Sequence, residues 1–450
     1  MEIPSSVLKL IDDLEASGFQ TWAVGGCVRD SLLGVTPHDW DLCTAATPSE
    51  IAGIFRDYPL VRAGEKHGTI AVVLEHGPVE ITTFRSEGGY ADHRRPDWVH
   101  FEQQVEADLA RRDFTVNAMA YHPARGLCDP FGGQQDLQNH ILRAVGDPAA
   151  RFREDGLRIL RGARFSARFH LQPEPDTYAA LCLLSPLLAG QARERVYSEL
   201  CGWLLAADAQ NLITFAPVMA AAIPDLAACQ GFLQHNPHHR YDIYTHIAHV
   251  VEGVPPVLPL RWAALLHDVG KPACFLLDDQ GVGHFKGHSG VGAVMARQIL
   301  QSLHAPNALT ERVSLLVAYH STCRQVTEEK TIRRLLRKLG QECLQQLLLL
   351  DQADDQGKGT DPNPWLFQEF AARMEQVLLE KPAQSPKDLA INGHQLAMLG
   401  VPAGPEMGRM LQRLLDECTD GLLENAPEPL LQRSRELWQQ AQRPGKVEYS

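Results

Sequence analysis

Asp39 and Asp41, one residue apart and just downstream of Gly25-Gly26-Cys27-Val28-Arg29-Asp30, have the spacing that points most directly to chemistry. In extended backbone, residues i and i+2 face the same side, so the two carboxylates converge on one site. Paired carboxylates are hard oxygen ligands suited to Mg²⁺, which keeps waters and shares its shell with substrate phosphates. The Gly-Gly turn removes side chains, so backbone N–H groups can approach a phosphate and the following helix can offer its positive end. Metal-assisted nucleotidyl transfer fits these parts. An isolated Asp-x-Asp is more often a pair of solvated acids on a surface turn, so the reading depends on what else the chain supplies.

It supplies Arg111-Arg112-Asp113-Phe114-Thr115-Val116-Asn117-Ala118-Met119, two cations, an acid and an amide in one stretch. Arginine neutralises triphosphate charge, and Asp113 or Asn117 can hydrogen-bond a ribose hydroxyl. Asp129-Pro130-Phe131-Gly132-Gly133 adds a tight turn to brace the site. Arg151 to Phe169 reads as one amphipathic helix, with Phe152, Ile159, Leu160, Ala163 and Ala167 on one side. Asp155, Arg158, Arg161 and Arg164 occupy the other. Asp155 and Arg158, one turn apart, can read a Watson–Crick edge: the carboxylate takes the exocyclic amine of C or A, and the guanidinium donates to a ring acceptor. U and G present a carbonyl there and leave the acid unpaired. The plainer alternative is a helical ion pair such as Glu154 with Arg158, worth roughly a few tenths of a kcal/mol.

These residues need a frame. Within residues 1–146 the pattern predicts a helix over 4–18, a strand over 21–24 leading into the glycine turn, and a helix over 28–33 stopped by Gly34. A hairpin is predicted from 69–74 and 79–84 around His76-Gly77-Pro78, and a mobile loop over 86–98. From about Asp147 the chain turns helical and rich in Leu and Ala. At 450 residues it is long enough for about three domains. Ten dispersed cysteines without a Cys-x-x-Cys pair indicate free thiols in a reducing compartment. The first residues lack a signal-peptide core, and no run reaches membrane-spanning length, so a cytoplasmic location with no membrane partner is expected. A net charge of −13 argues against indiscriminate polyanion binding. It leaves room for local basic patches, of which residues 151–168 and Arg333, Arg334, Arg337 and Lys338 are the two candidates.

Taken together and in this order, the motifs resemble those of bacterial class II tRNA nucleotidyltransferases, the CCA-adding enzymes and their poly(A) polymerase relatives. Glu154-Asp155-Gly156-Leu157-Arg158 and Glu194-Arg195-Val196-Tyr197-Ser198-Glu199-Leu200 complete the set, which covers about the first 200 residues. The resemblance implies an α+β fold: a polymerase β-like head with a small mixed sheet, an all-α neck, and a helical body and tail. It implies Mg²⁺ on Asp39 and Asp41, nucleotide contacts from Gly26, Arg29 and Arg112, base reading by Asp155 and Arg158, and further contacts from Arg161 and Arg164. Asp113 and Asn117 join the nucleotide-binding set through the ribose bonds described above. Substrates would be tRNA, CTP and ATP, with template-independent building of the 3′-terminal CCA. The loop from Phe84 to Pro96 favours a complete CCA-adding or an A-adding enzyme; an A-adding enzyme or a poly(A) polymerase is the alternative within the family.

A second pattern lies further on. His246, His267-Asp268, His288, His320 and an acid, Asp354 or else Asp351, suit a borderline transition metal or a pair bridged by the aspartate, with His249 competing with His246. His267-Asp268-Val269-Gly270-Lys271-Pro272, closing an apolar stretch, resembles the HD-domain phosphohydrolases over roughly residues 240–355. That likeness implies a second divalent metal site and hydrolysis of a phosphoester on an RNA end or nucleotide. A chain that is mainly such a phosphohydrolase, its head only binding RNA, is the reading from another class. The expected division is a head at 1–146, a neck at 147–215, an HD body at 216–360 and a helical tail at 361–450.

Overall fold

The computed structural model describes residues 1–89, 98–237, 239–326, 328–360 and 362–442. Helix α1 (Ser5–Ala16) buries Val7, Leu10, Ile11 and Leu14, one stripe at helical spacing. β1 (Thr21–Val24) runs into Gly25, whose φ of 77° reverses the chain into α2 (Gly26–Leu32). Then come β2 (Asp41–Thr44), α3 (Pro48–Ile54), β3 (Leu60–Val61), β4 (Thr69–Leu74) and β5 (Gly77–Thr83). β6 (Arg85–Gly88), β7 (Trp98–Phe101), α4 (Val105–Ala110), β8 (Ala120–His122), β9 (Gly126–Cys128) and α5 (Gly133–Gln138) complete this part.

Seven of these strands form one mixed sheet in the order β3-β4-β5-β2-β1-β8-β9, with β2 and β5 parallel and the other pairs antiparallel. Strand alternation feeds two cores. Ala23 and Leu42 join α1 and α3 residues on one face, while Trp22, Val24 and Cys43 join Val105 and Leu109 of α4 on the other. β1 and β2 are central, so the glycine turn and the Asp39–Asp41 segment sit at adjacent strand ends.

Two local expectations change. The second strand of the predicted hairpin begins two residues early, since Gly77 already pairs with Leu74. The segment expected as a loop contains a hairpin instead, β6 paired with β7 from Arg85↔Phe101 to Gly88↔Trp98. Charges and glycines hid those strands; their polar side chains are tied together, Ser86 donating to Glu102 at 2.6 Å and Arg85 to Glu87 at 3.0 Å. Residues 90–97, which carry most of the proposed switching loop, lie outside the described residues.

Gly133 opens α5 against the backbone of Thr115, and a Cβ there would lie 2.1 Å from the Thr115 carbonyl oxygen. A backbone atom cannot swing away as a side chain can. Gly133→Ala is therefore expected to destabilise the protein by about 3 kcal/mol or more, seen as a fall of several degrees in Tm.

Ten residues past the end of α5 the chain becomes helical: α6 (Pro148–Glu154), α7 (Leu157–Phe169), α8 (Pro175–Leu184), α9 (Arg193–Ala206), α10 (Ala209–Thr214) and α11 (Ala216–Ala222). The single helix expected over 151–169 is interrupted. Asp155 is extended, at φ −138° and ψ 106°, and its carboxylate accepts the N–H of Leu157 at 3.0 Å, ending α6 and starting α7. All this belongs to one compact unit, Met1–Gln230 with Ile299–Ala305.

The second unit, from Gly231 onward apart from those seven residues, contains α12 (Ile243–Gly253), α13 (Leu258–Leu266), most of α14 (His288–Ser302), α15 (Asn307–Tyr319), α16 (Glu329–Leu339), α17 (Gln341–Gln356), α18 (Pro364–Leu379), α19 (Gly393–Met398), α20 (Pro405–Thr419) and α21 (Pro427–Ala441). The basic cluster on α16 is occupied within this unit. Arg333 meets Glu380 at 2.7 Å, Arg334 meets Asp420 at 2.8 Å and Arg337 meets Asp416 at 2.6 Å. These arginines dock the tail helices, which a charge run read along the sequence cannot show. No described helix is long and apolar enough to cross a membrane.

Candidate functional sites

In the first unit a cavity of about 810 Å³ is lined by Gly26, Arg29, Asp39, Asp41, Arg112, Asp113, Asn117, Asp155, Arg158, Arg161 and Arg164. Every residue expected at the nucleotide site therefore faces one space. Asp39 precedes β2 and Asp41 opens it. The Asp41 carboxyl is pushed up to about 6, first by the desolvating walls of the cleft, then by Glu80 and Asp39, with Arg112 opposing. A carboxylate so crowded by negative charge, with a second acid beside it, gains from a hard divalent cation, so the donor set fits Mg²⁺.

The cations of the cavity are fixed by acids behind them. Fully buried Asp108 accepts from Arg111 at 2.7 Å and Arg112 at 3.2 Å; the two guanidiniums outweigh the effect of burial and hold its carboxyl below the usual range. Arg112 lies over Gly25, whose missing Cβ would come 2.6 Å from the guanidinium. Arg29 donates to Asp30 and to Asn117, and its guanidinium sits 4.1 Å from the centre of the Phe169 ring. Asp113 accepts the Phe114 N–H and the Asn117 amide on one oxygen and Arg161 at 2.7 Å on the other. Burial would raise Asp113, but Arg161 and Arg158 bring it down to about 2. Asp113 and Asn117 line the cavity with these polar atoms already paired, so they orient arginines there. Arg164 is held by Glu199 at 2.6 Å.

Asp155 and Arg158 both face the cavity, each with another partner. Arg195 bonds Asp155 at 3.1 Å. Arg158 bonds Glu154 at 2.6 Å and the carbonyls of Arg151 and Arg111, each at 3.0 Å. The ion pair weighed as the plainer alternative is thus present, and Arg158 still lines the cavity. The sequence reading missed Phe165, Arg195, Glu199 and Asp108. The segment 194–200 carries a motif to whose members the sequence assigns no role, and nothing in the sequence singles out Asp108.

In the second unit His246, His267 and Asp354 form one cluster, and Asp268, His288 and His320 another, the ligand atoms within each lying no more than 4.8 Å apart. His246 Nε2 faces His267 Nε2 at 3.2 Å, and His288 Nε2 faces His320 Nε2 at 3.0 Å. Each of the four histidines turns its Nδ1 to a backbone carbonyl: Gly357, Ala264, Phe285 and Val317, at 3.0, 2.8, 2.7 and 2.6 Å. Those bonds place the proton on Nδ1, so Nε2 lone pairs confront each other in each cluster. Asp268 connects the clusters. Its Oδ2 is 3.2 Å from His267 and 3.4 Å from His246, and its Oδ1 is 3.5 Å from His288 and 3.7 Å from His320.

Facing lone pairs on either side of one carboxylate fit two cations with a bridging ligand. Burial opposes ionisation of Asp268, but His267 and Lys271 keep its carboxyl far below the usual range. Asp354 joins the first cluster. Asp351 turns elsewhere, burial pushing its carboxyl up to about 7. His249 lies outside, against Tyr241 and Glu252. A cavity of about 670 Å³ opens on the clusters and adds His239, Lys271, Lys286 and Arg324, none of them anticipated as site residues.

A family model described as "Poly A polymerase head domain" matches residues 21–143, and one described as "tRNA nucleotidyltransferase domain 2 putative" matches residues 288–433. The chain is 33% identical over 429 residues to a CCA-adding enzyme of Limosilactobacillus fermentum, covering 95% of this chain and 96% of that one. The chain belongs to the CCA-adding enzyme family. A CCA-adding enzyme of Geobacillus thermodenitrificans is 32% identical over 444 residues, covering 95% of this chain and 96% of that one. The crystal structure of the Bacillus stearothermophilus CCA-adding enzyme in complex with CTP superposes with a TM-score of 0.72 at 27% identity, covering 98% of this chain and 99% of that one. The expected class II tRNA nucleotidyltransferase and its α+β fold are therefore correct.

Proposed function

We propose that this protein builds and repairs the 3′-terminal CCA of tRNA from CTP and ATP, choosing each nucleotide with its own side chains. The observation that carries this reading is the single cavity in which the acidic pair, the glycine turn, the arginines and Asp155–Arg158 meet. Asp39 and Asp41 would hold Mg²⁺. When bound, it lowers the pKa of the attacking 3′-hydroxyl, polarises the α-phosphate and neutralises the leaving pyrophosphate. Arg29, Arg112, Arg161 and Arg164 surround the space a triphosphate would fill, and their acid partners orient them beforehand, so the charge they offer needs little reorganisation. Asp155 and Arg158 present an acceptor and a donor to the base once it displaces Arg195 from the carboxylate. A tRNA substrate is consistent with work in the cytoplasm.

The test offers tRNAs lacking one, two or three terminal residues with CTP and ATP, separately and together. Extension of all three to CCA is the expected result. Extension only of tRNA already ending in CC would identify an A-adding enzyme, and runs of A would identify a poly(A) polymerase.

We infer a second, hydrolytic centre from the bridging position of Asp268 between the two histidine clusters. His246, His267 and Asp354 would hold one transition-metal ion and His288 and His320 the other. The chemistry such a pair supplies is a water activated at neutral pH, aimed at a phosphomonoester or phosphodiester of an RNA end or nucleotide. The division into head, neck, HD body and tail goes with this reading, except that residues 216–230, expected in the body, group with the first unit.

A further inference from the structure

His320 stands at the end of α15, and the residue after it is strained: Ser321 is a non-glycine at φ 66°. Such a conformation is unfavourable for a residue with a Cβ and persists only where surrounding bonds hold it. Here one carboxylate does so. Asp351, buried on α17, accepts the backbone N–H of Ser321 at 2.6 Å on one oxygen and that of Cys323 at 2.8 Å on the other. Asp354 lies one helical turn further along the same face, and the Ser321 hydroxyl reaches its carboxylate at 3.4 Å. Two acids of one helix thus have separate tasks at one turn: Asp354 faces the histidine clusters, and Asp351 grips the backbone that delivers His320.

We propose that Asp351 is a positioning residue of the second centre, holding the Ser321 turn so that His320 faces His288 and Asp268. The proposal rests on the reading of that centre as a metal pair. His320 Nε2 must meet His288 Nε2 and Asp268 Oδ1 across about 3–4 Å, a window that a relaxed turn would miss. Asparagine at 351 keeps the shape but replaces one acceptor by an amide donor, which would point at a backbone N–H. The turn then loses one of its two tethers while the first cluster, built from α12, α13 and α17, keeps all its ligands.

The experiment uses full-length protein stripped of metal and titrated with Co²⁺, bound ion being counted by equilibrium dialysis and followed by its visible absorption. A double variant, His267→Ala with His320→Ala, defines binding elsewhere on the chain. Wild type is expected to bind two ions more than this variant. Asp351→Asn is expected to keep the tighter ion and to bind the other about 10–100-fold more weakly, as for loss of an outer-shell support. Ser321→Gly, which keeps the backbone N–H and relieves the positive φ, should retain both. Two ions bound at wild-type affinity by Asp351→Asn would overturn the proposal. Loss of both ions would make Asp351 a general structural residue and also overturn it. Wild type binding no more than the double variant would instead remove the metal-pair reading itself.

Discussion

Changing Asp41 to asparagine is expected to reduce CTP and ATP incorporation by roughly a thousandfold or more, because a metal held at the reacting phosphate supplies several kcal/mol of transition-state stabilisation. Asparagine preserves the shape of the side chain and removes the charge that binds the cation. The same change should leave the fold intact. Asp41 is solvent-accessible at the mouth of β2, and relieving its repulsion with Glu80 and Asp39 removes an unfavourable term rather than a favourable one. The check pairs single-turnover extension of a truncated tRNA with thermal unfolding of the same preparation. A variant that turns over at the wild-type rate would remove Asp41 from the metal site, and one that fails to fold would show that β2 depends on it.

Replacing Asp155 by alanine should instead damage choice. A base edge read by a paired acceptor and donor is discriminated by about 1–3 kcal/mol, roughly 5- to 150-fold, and most of that is forfeited when the acceptor goes. UTP should then compete with CTP, measured as the ratio of kcat/KM values on tRNA lacking its last residues. Total incorporation should fall less than with Asp41→Asn, since the arginines and the acidic pair are untouched. Two other losses accompany the change: the cap on Leu157 and the partner of Arg195. Asp155→Asn, which keeps an oxygen for the cap, separates the first of these from base reading. Selectivity unchanged in both variants would end the templating role.

The glycine turn and the acidic strand end were legible in the sequence because turn chemistry and strand alternation are local. Gly25 at positive φ and Asp41 at the start of a strand are where the pattern put them. The acids behind the arginines were not legible, because their partners are set by tertiary packing. Asp113 looked like a ribose contact and holds Arg161; Arg333 and Arg334 looked like an RNA surface and fasten α16 to acids of the tail. The break at Asp155 was missed because an apolar stripe continues through it, and a side chain that caps its own backbone leaves no trace in a periodicity. At the second centre, residue types identified the histidines. The sequence favoured Asp354 over Asp351, and the geometry adds why the two differ: Asp354 joins a histidine cluster, whereas Asp351 accepts from the backbone at Ser321.

The grip of the Arg111 carbonyl on the Arg158 guanidinium has a practical consequence. The peptide next to Arg112 and the side chain proposed to recognise the base share one hydrogen bond, so on that proposal letter choice and triphosphate grip are mechanically joined. Redesigning this protein to write a different trinucleotide would thus require compensating changes around Arg111, and substitutions confined to the reading pair would yield sluggish writers before they yielded faithful ones.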